Sequence, residues 1–387
     1  MSLDLPDTMA DVLRVSLPLL RCGVPALLLP FLLRRLLLLG ASLLPRGETP
    51  LARYRTVTVL VAARNEAGTL PRLLSALERL DYPASLLHVV LISDGSDDDT
   101  EALMRAWDGG AASREMLALP QSRGKGAALA AGLARAPQTD VVVVFDADCE
   151  PAPDALPRLV GALDDASVGG VAAFPRPSNA HAGVVARYAA LERYVHHVVA
   201  LAGRDRLGLD PPLVGVAFAV RRRALDDVGG FPTDRLAEDT ALSLALVHAG
   251  WRLRWLGEAQ VREDVVETRA RFRVQRQRWS RGLLESASQA RSLEERMAAM
   301  GYLDRIVLLV AILLVPFGVA APWWPIAYLS VPALAALRAL HRAGDGPVHA
   351  FAWAALLMFA LDVYESVRSL VGHLTRARVA WGERDGS

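Results

Sequence analysis

The chain has 387 residues, of which 52% are apolar, and a formal net charge of +1. A charge so close to zero excludes a basic nucleic-acid-binding protein, and nucleic acid is not expected as a partner. Two distant cysteines, Cys22 and Cys149, and eight histidines without ligand spacing exclude a disulfide scaffold and a cysteine- or histidine-built zinc site.

Mean hydropathy is positive, and the apolar excess is uneven. It lies in Val12–Leu44 and Ile306–Leu374, while the stretch between them has ordinary soluble composition. The pattern predicts a soluble domain held by apolar ends. Five segments follow: a membrane segment and basic linker over 1–55, a catalytic domain over 56–284, an amphipathic connector over 285–302, a membrane region over 303–375 and a polar tail over 376–387. Val12–Leu33 is long enough to cross a bilayer, which takes about 20 residues. Its length and interruptions argue against a cleaved leader, and Arg14 and Arg21 keep an interfacial helix open as the alternative. Arg34, Arg35, Arg46, Arg53 and Arg55 then place the following domain on the cytoplasmic side of the cell membrane by the positive-inside rule.

The predicted elements of the soluble core alternate. Val57–Ala63 reads as a strand, Leu70–Leu80 as a helix, His88–Ile92 as a strand and Asp99–Trp107 as a helix capped from Ser96–Asp99. Met116–Leu119 is a short strand, Gly126–Ala134 a helix and Val141–Phe145 a wholly apolar strand. Apolar strands without alternation are buried on both faces, as in a parallel sheet between helix layers. The fold class is therefore α/β and doubly wound, with ligands expected at the carboxyl ends of the strands. Further on, Thr240–Ala249 reads as a helix. Ile306–Ala321 and Pro325–Leu340 flank a Pro322-Trp323-Trp324-Pro325 turn, and Val348–Gly372 is apolar to Leu361, then carries Asp362, Glu365 and Arg368. Two complete spans are expected after the domain.

Polar residues gather at the expected strand ends. Ala63-Arg64-Asn65-Glu66 follows the first strand, Ser93–Asp98 the second and Asp146-Ala147-Asp148 the fourth. Asp146 and Asp148 lie two apart in an extended segment, hence on one side of it. A divalent cation offsets their repulsion and bridges to a diphosphate, whereas a solvated loop is the plain alternative. Glu238-Asp239 opens a helix. It reads either as favourable charge at a helix N-terminus or as a general base. Lys125, between Gly124 and Gly126, either reaches a phosphate or marks a turn. Gln275, Arg278 and Trp279 stand at i, i+3 and i+4 of a predicted helix and share one face. A guanidinium there suits a diphosphate and an indole suits a sugar ring. The six arginines of Arg269–Arg281 also fit a basic helix lying on anionic lipid.

In order, these motifs resemble the membrane-bound family-two glycosyltransferases, in particular the processive branch with the cellulose, hyaluronan, chitin-oligosaccharide and poly-N-acetylglucosamine synthases. The match runs from about Val57 to Gly282 and includes Gly229-Gly230-Phe231. The resemblance implies a GT-A fold and an inverting transfer of a hexose or N-acetylhexosamine from a UDP-sugar to a saccharide or lipid-linked acceptor. It implies Asp239 as the catalytic base, with Glu238 beside it in the catalytic pair. Ala63, Arg64, Glu66, Asp94, Lys125, Asp146, Gln275 and Arg278 would contact the donor, Trp279 and Gly215 the acceptor, and Asp146 and Asp148 would bind Mg2+ or Mn2+. The Val214–Phe218 loop is bulkier than the synthases show, and fewer membrane segments follow the domain, which leaves chain elongation open. Alternatives are a single transfer to a lipid, an inactive membrane scaffold, or a nucleotidyltransferase. The last is disfavoured because no glycine-rich signature opens the first helix.

Overall fold

The computed structural model describes residues 23, 26–45, 54–110, 112–235, 237–301, 303–316 and 323–374. Four strands, β1 (Val57–Ala63), β2 (Leu87–Asp94), β3 (Ser113–Leu119) and β4 (Val141–Phe145), form a parallel half-sheet in the order β3-β2-β1-β4. No side chain of β1 or β4 reaches solvent, because helices cover both faces. Val57, Val59 and Val61 meet the leucines of α2 (Leu70–Glu78) and Met104 of α3 (Thr100–Ala106). Leu60 and Ala62 meet Leu129 and Leu133 of α4 (Lys125–Arg135) on the other face. The helix starts agree with the sequence reading to within a residue. The N-cap residue of α3 is Asp99, whose side chain makes no capping bond; the carboxylate of Asp98, one residue earlier, accepts the Thr100 N–H at 2.9 Å.

Beyond β4 the sheet departs from the expected all-parallel pattern. β5 (Cys149–Pro151), β6 (Val168–Pro177), β7 (Ala217–Arg221) and β8 (Arg252–Glu263) extend it to eight strands in the order β3-β2-β1-β4-β7-β6-β8-β5. β7 is antiparallel to both β4 and β6, and β5 is antiparallel to β8. The correction has a physical cause. After α5 (Ala155–Ala162) and β6, the chain makes a long excursion through α6 (Val184–Tyr194), a π-helical stretch (Val195–Leu201) and α7 (Ala202–Leu207), and re-enters the sheet from its other end. The start of β7 therefore lies beside the end of β4, with Ala217 opposite Phe145. α8 (Arg222–Asp227) and α9 (Glu238–His248) complete the second helix layer through Leu225, Leu242 and Leu246.

The remaining helices pack together on one side. They are α1 (residues 26–42), α10 (Arg269–Ala287), α11 (Leu293–Ala299, with a Ser292/Glu295 capping box), α12 (Leu303–Leu314), α13 (Trp323–Ala343) and α14 (Val348–Leu374). Leu28, Leu308 and Tyr328 join α1, α12 and α13 in one buried cluster. Among the described residues, Val348–Arg368 is the one helical stretch long and apolar enough to cross a membrane. Within Ile306–Ala321, which reads in sequence as part of a re-entrant or paired-helix arrangement, the described residues hold α12, which ends at Leu314. α12 has 12 residues, about 18 Å at 1.5 Å per residue against a hydrocarbon core of about 30 Å. Trp323 and Trp324 belong to the first turn of α13 rather than to a connecting turn, and their rings stack at 5.0 Å. Pro322, with the rest of residues 317–322, lies outside the described residues, as do most of the predicted first span, Arg46, Arg53 and the tail over 376–387. The other linker arginines are paired: Arg34 with Glu294 at 2.7 Å, Arg35 with Asp304, and Arg55 with Asp164 at 3.0 Å. Each pairing offsets a positive charge that the topology argument counted.

Candidate active site

The carboxyl end of β4 and the start of β7 meet at a close contact, where the Asp146 N–H donates to the Val216 carbonyl at 2.9 Å. Lys125, the first residue of α4, reaches across this junction. Its ammonium lies 2.6 Å from Asp146 Oδ1 and 3.2 Å from Glu238 Oε1, and donates to the Gly215 carbonyl at 2.7 Å. Burial would lower the lysine pKa, but the Asp146 and Glu238 carboxylates outweigh it and hold the group above the usual lysine range. Burial pushes the Asp146 carboxyl up, the Lys125 ammonium opposes this, and nearby Asp148 adds to the rise.

Glu238 and Asp239 occupy the first turn of α9 and reach different partners. Glu238 meets Lys125, whereas Asp239 Oδ2 accepts the Gly215 N–H at 2.7 Å and Oδ1 accepts the Thr240 N–H at 2.6 Å. Asp239 and Lys125 therefore hold opposite ends of the same residue, Gly215. A Cβ at Gly215 would stand 2.9 Å from Asp239 Oδ2 and 3.2 Å from Lys125 Nζ. Gly215→Ala is expected to displace the Asp239 carboxylate. Turnover should fall about 10-fold or more, as misplacement of a reacting group does, and the melting temperature should fall as well, because the Gly215 N–H loses its acceptor. A variant with wild-type turnover would show that this contact does not position Asp239.

One cavity of about 2360 Å³ is lined by Ala63, Arg64, Glu66, Lys125, Asp146, Asp148, Gly215, Glu238, Asp239, Gln275, Arg278 and Trp279. Asp94 is the predicted site residue that does not line it. Its carboxylate is buried and accepts hydrogen bonds from Ser122 Oγ (2.8 Å), the Arg123 N–H (2.8 Å) and the Gly124 N–H (3.0 Å). Asp94 thus anchors the loop that delivers Lys125. Gly95, at φ +65°, lets that loop approach, because a Cβ there would meet Ser122 N at 2.5 Å. The first-strand loop is braced from the side: Asn65 N–H donates to Ser96 Oγ at 3.2 Å, and Glu66 N–H to Thr100 Oγ1 at 2.7 Å.

Three features lay beyond the sequence reading. Glu263, at the end of β8 and opposite Cys149, lines the cavity beside Asp146 and Asp148. Burial pushes its carboxyl up to about 7 against the pull of Arg193, 2.5 Å away, and both aspartates add to the rise. His196 enters the cavity wall from the π-helical stretch, and burial together with Arg193, Arg204 and Arg34 lowers its pKa to about 4. Arg276 is buried between α6 and α14 rather than exposed to lipid. Glu263 stands alone in a charged run, and no local spacing marks it.

The donor set suits a hard divalent cation. Among the described residues no group of three or more His, Cys, Asp or Glu side chains converges on a cation-sized point. Two carboxylates completed by substrate phosphates is the usual arrangement for Mg2+, and Asp146 and Asp148, both in the cavity wall, fit that arrangement.

The cavity also runs on between α1, α12, α13 and α14, where Leu308, Ile312, Leu329, Pro332, Leu356 and Phe359 line it.

Comparison with known proteins identifies the family and the fold. The chain is 30% identical over 243 residues to the probable glycosyltransferase YdaM of Bacillus subtilis, covering 62% of this chain and 58% of that protein. It is 29% identical over 242 residues to the beta-monoglucosyldiacylglycerol synthase of Synechocystis, covering 61% of this chain and 49% of that one. The chain thus spans about half the length of the curated relatives it matches. A mannosyltransferase of Pyrobaculum calidifontis, solved with GDP-Man and Mn2+, has the same fold. It superposes with a TM-score of 0.61 at 22% identity over 95% of this chain and 99% of that one. The fold is GT-A, a mixed α/β sheet. The family described as Glycosyltransferase like family 2 matches residues 54–282, more than half of the chain, and the protein belongs to that family.

Proposed function

We propose that this glycosyltransferase moves a hexose or N-acetylhexosamine from a UDP-sugar, with inversion, to a saccharide or lipid-linked acceptor at a membrane. The observation that carries the reading is the convergence, in one cavity, of the Asp146/Asp148 pair, the separate carboxylate of Asp239 and the Gln275–Arg278–Trp279 face of α10. Asp239 takes the proton of the attacking acceptor hydroxyl. Asp146 and Asp148 would hold Mg2+ or Mn2+, which would supply positive charge to offset that of the donor diphosphate. Arg278 and Lys125 face the leaving diphosphate, Ala63, Arg64, Glu66 and Gln275 border the donor, and Trp279 and Gly215 shape the acceptor side. The apolar extension of the cavity favours an acceptor with a hydrocarbon part, and hence a single transfer to a lipid over extension of a saccharide chain.

Purified full-length protein incubated with UDP-glucose, UDP-N-acetylglucosamine and GDP-mannose, with dioleoylglycerol or cellobiose, tests the reading by nucleotide release. UDP release that rises with dioleoylglycerol supports it. GDP release alone would overturn the donor assignment. Exhaustive chelation is expected to abolish turnover and Mg2+ or Mn2+ to restore it; full turnover in chelator would exclude the cation. The catalytic domain is expected to face the cytoplasm. A cysteine placed at Asp108, on the exposed turn after α3, should resist an impermeant maleimide in intact cells, and ready labelling there would reverse the orientation.

A further inference from the structure

Helix α14 is apolar along most of its length yet buries two carboxylates, Asp362 and Glu365. Carboxylates inside an apolar helix are costly unless paired, and both are paired with helices of the catalytic side. Asp362 meets Arg276 of α10 at 3.1 Å and Arg305 of α12, and accepts the Tyr188 hydroxyl of α6 at 2.9 Å. Glu192 of α6 closes the group by pairing with both Arg276 and Arg305. Two cations and two anions thus balance at the junction of α6, α10, α12 and α14. Glu365 makes a separate pair with Arg273, one turn before Arg276, at 2.6 Å.

Apolar side chains would hold these helices together at least as well, because a buried ion pair contributes little net stability while being strict about geometry. What the pairs fix is register. Arg276 is the point at which that register reaches the cavity. Its guanidinium lies 4.5 Å from the Phe272 ring centroid and 5.5 Å from that of Trp279, which lines the cavity. We infer that Asp362 of α14 is a positioning residue which, through Arg276, sets the orientation of Trp279 in the cavity wall. The apolar helix is then part of the site's construction and not a tether alone. The inference rests on contacts within the protein and needs no particular donor or acceptor to be correct.

Fluorine NMR of the full chain labelled with 5-fluorotryptophan in detergent micelles reads this out without turnover. Single Trp→Phe changes assign the resonances. Asp362→Asn is expected to shift or split the Trp279 signal and to leave unchanged that of Trp251, whose indole pairs with Asp227 far from the junction. Asp345→Asn, which removes an ion pair with Arg176 elsewhere, should leave both unchanged. If Asp362→Asn does not fold, Asp362→Glu, which keeps the charge and moves it by one methylene, is read in the same way. A Trp279 signal coincident with wild type in the folded variant overturns the inference. Turnover under the proposed reaction should fall about 10-fold or more from misalignment while UDP affinity stays within about twofold. An equal loss of both would make Asp362 a general stabiliser and overturn it as well. Failure of the proposed reaction would leave the NMR result standing on its own.

Discussion

Asp239→Asn is expected to lower turnover by about 10²–10⁴-fold, the usual consequence of losing a general base. UDP affinity should be nearly spared, since the proposed donor contacts come from the ends of β1 and β4 and from α4 and α10, and none from α9. The substitution is not isosteric in hydrogen bonding, because both carboxylate oxygens of Asp239 accept backbone N–H groups, from Gly215 and from Thr240. An amide supplies one acceptor, so one of these N–H groups loses its partner, at a cost of about 1–3 kcal/mol. Melting temperature, UDP affinity and turnover on this one variant separate the roles. A lower melting point with turnover intact would make Asp239 a brace for the Gly215 loop and nothing more. Loss of turnover and of UDP affinity in step would move it to the donor site.

A second large effect is expected at Lys125. Its ammonium is the common partner of Asp146, Glu238 and the Gly215 carbonyl, and its own side chain is nearly buried. Lys125→Met leaves two carboxylates facing each other without a cation. Breaking a buried pair from one side typically costs about 3–5 kcal/mol, so the unliganded variant should melt well below wild type. The same change removes the positive charge that competes with a cation beside Asp146, and Mn2+ should stabilise the variant by a larger increment than it stabilises wild type. Thermal melts with and without Mn2+ check both halves. A variant as stable as wild type, with an equal response to Mn2+, would show that Lys125 is not the counter-charge of this site.

The parts legible in the sequence were those written locally. Apolar runs at Val57–Ala63 and Val141–Phe145 gave strands with the observed bounds because both faces are buried and no alternation is needed. Gln275, Arg278 and Trp279, spaced i, i+3 and i+4 on α10, all line the cavity. β6 to β8 were not legible. Val168–Pro177 carries two glycines and two prolines, β7 is five residues long, and β8 mixes charges with apolar residues. Their pairing depends on where a long excursion returns, and no local pattern encodes that. The resemblance implies Asp94 at the donor, whereas its depth behind the loop comes from three hydrogen bonds made by residues 122–124. Arg276 read as one of six surface arginines. Its burial is set by Glu192 and Asp362, each distant in sequence.

The continuity of the cavity, from the carboxylates at the sheet edge to the leucines between the apolar helices, bears on how rates should be measured. Under the proposed reaction, a hydrocarbon-bearing acceptor held there would arrive by lateral diffusion in the plane of the bilayer and would not need to be dissolved in bulk water. Its effective concentration is then its mole fraction in the surface. Diluting the acceptor with inert phospholipid should slow the reaction, whereas adding more vesicles of the same composition should not speed it once all enzyme is bound. The sugar donor would obey ordinary bulk saturation in the same assay, and the two substrates would follow different dimensional laws at one site.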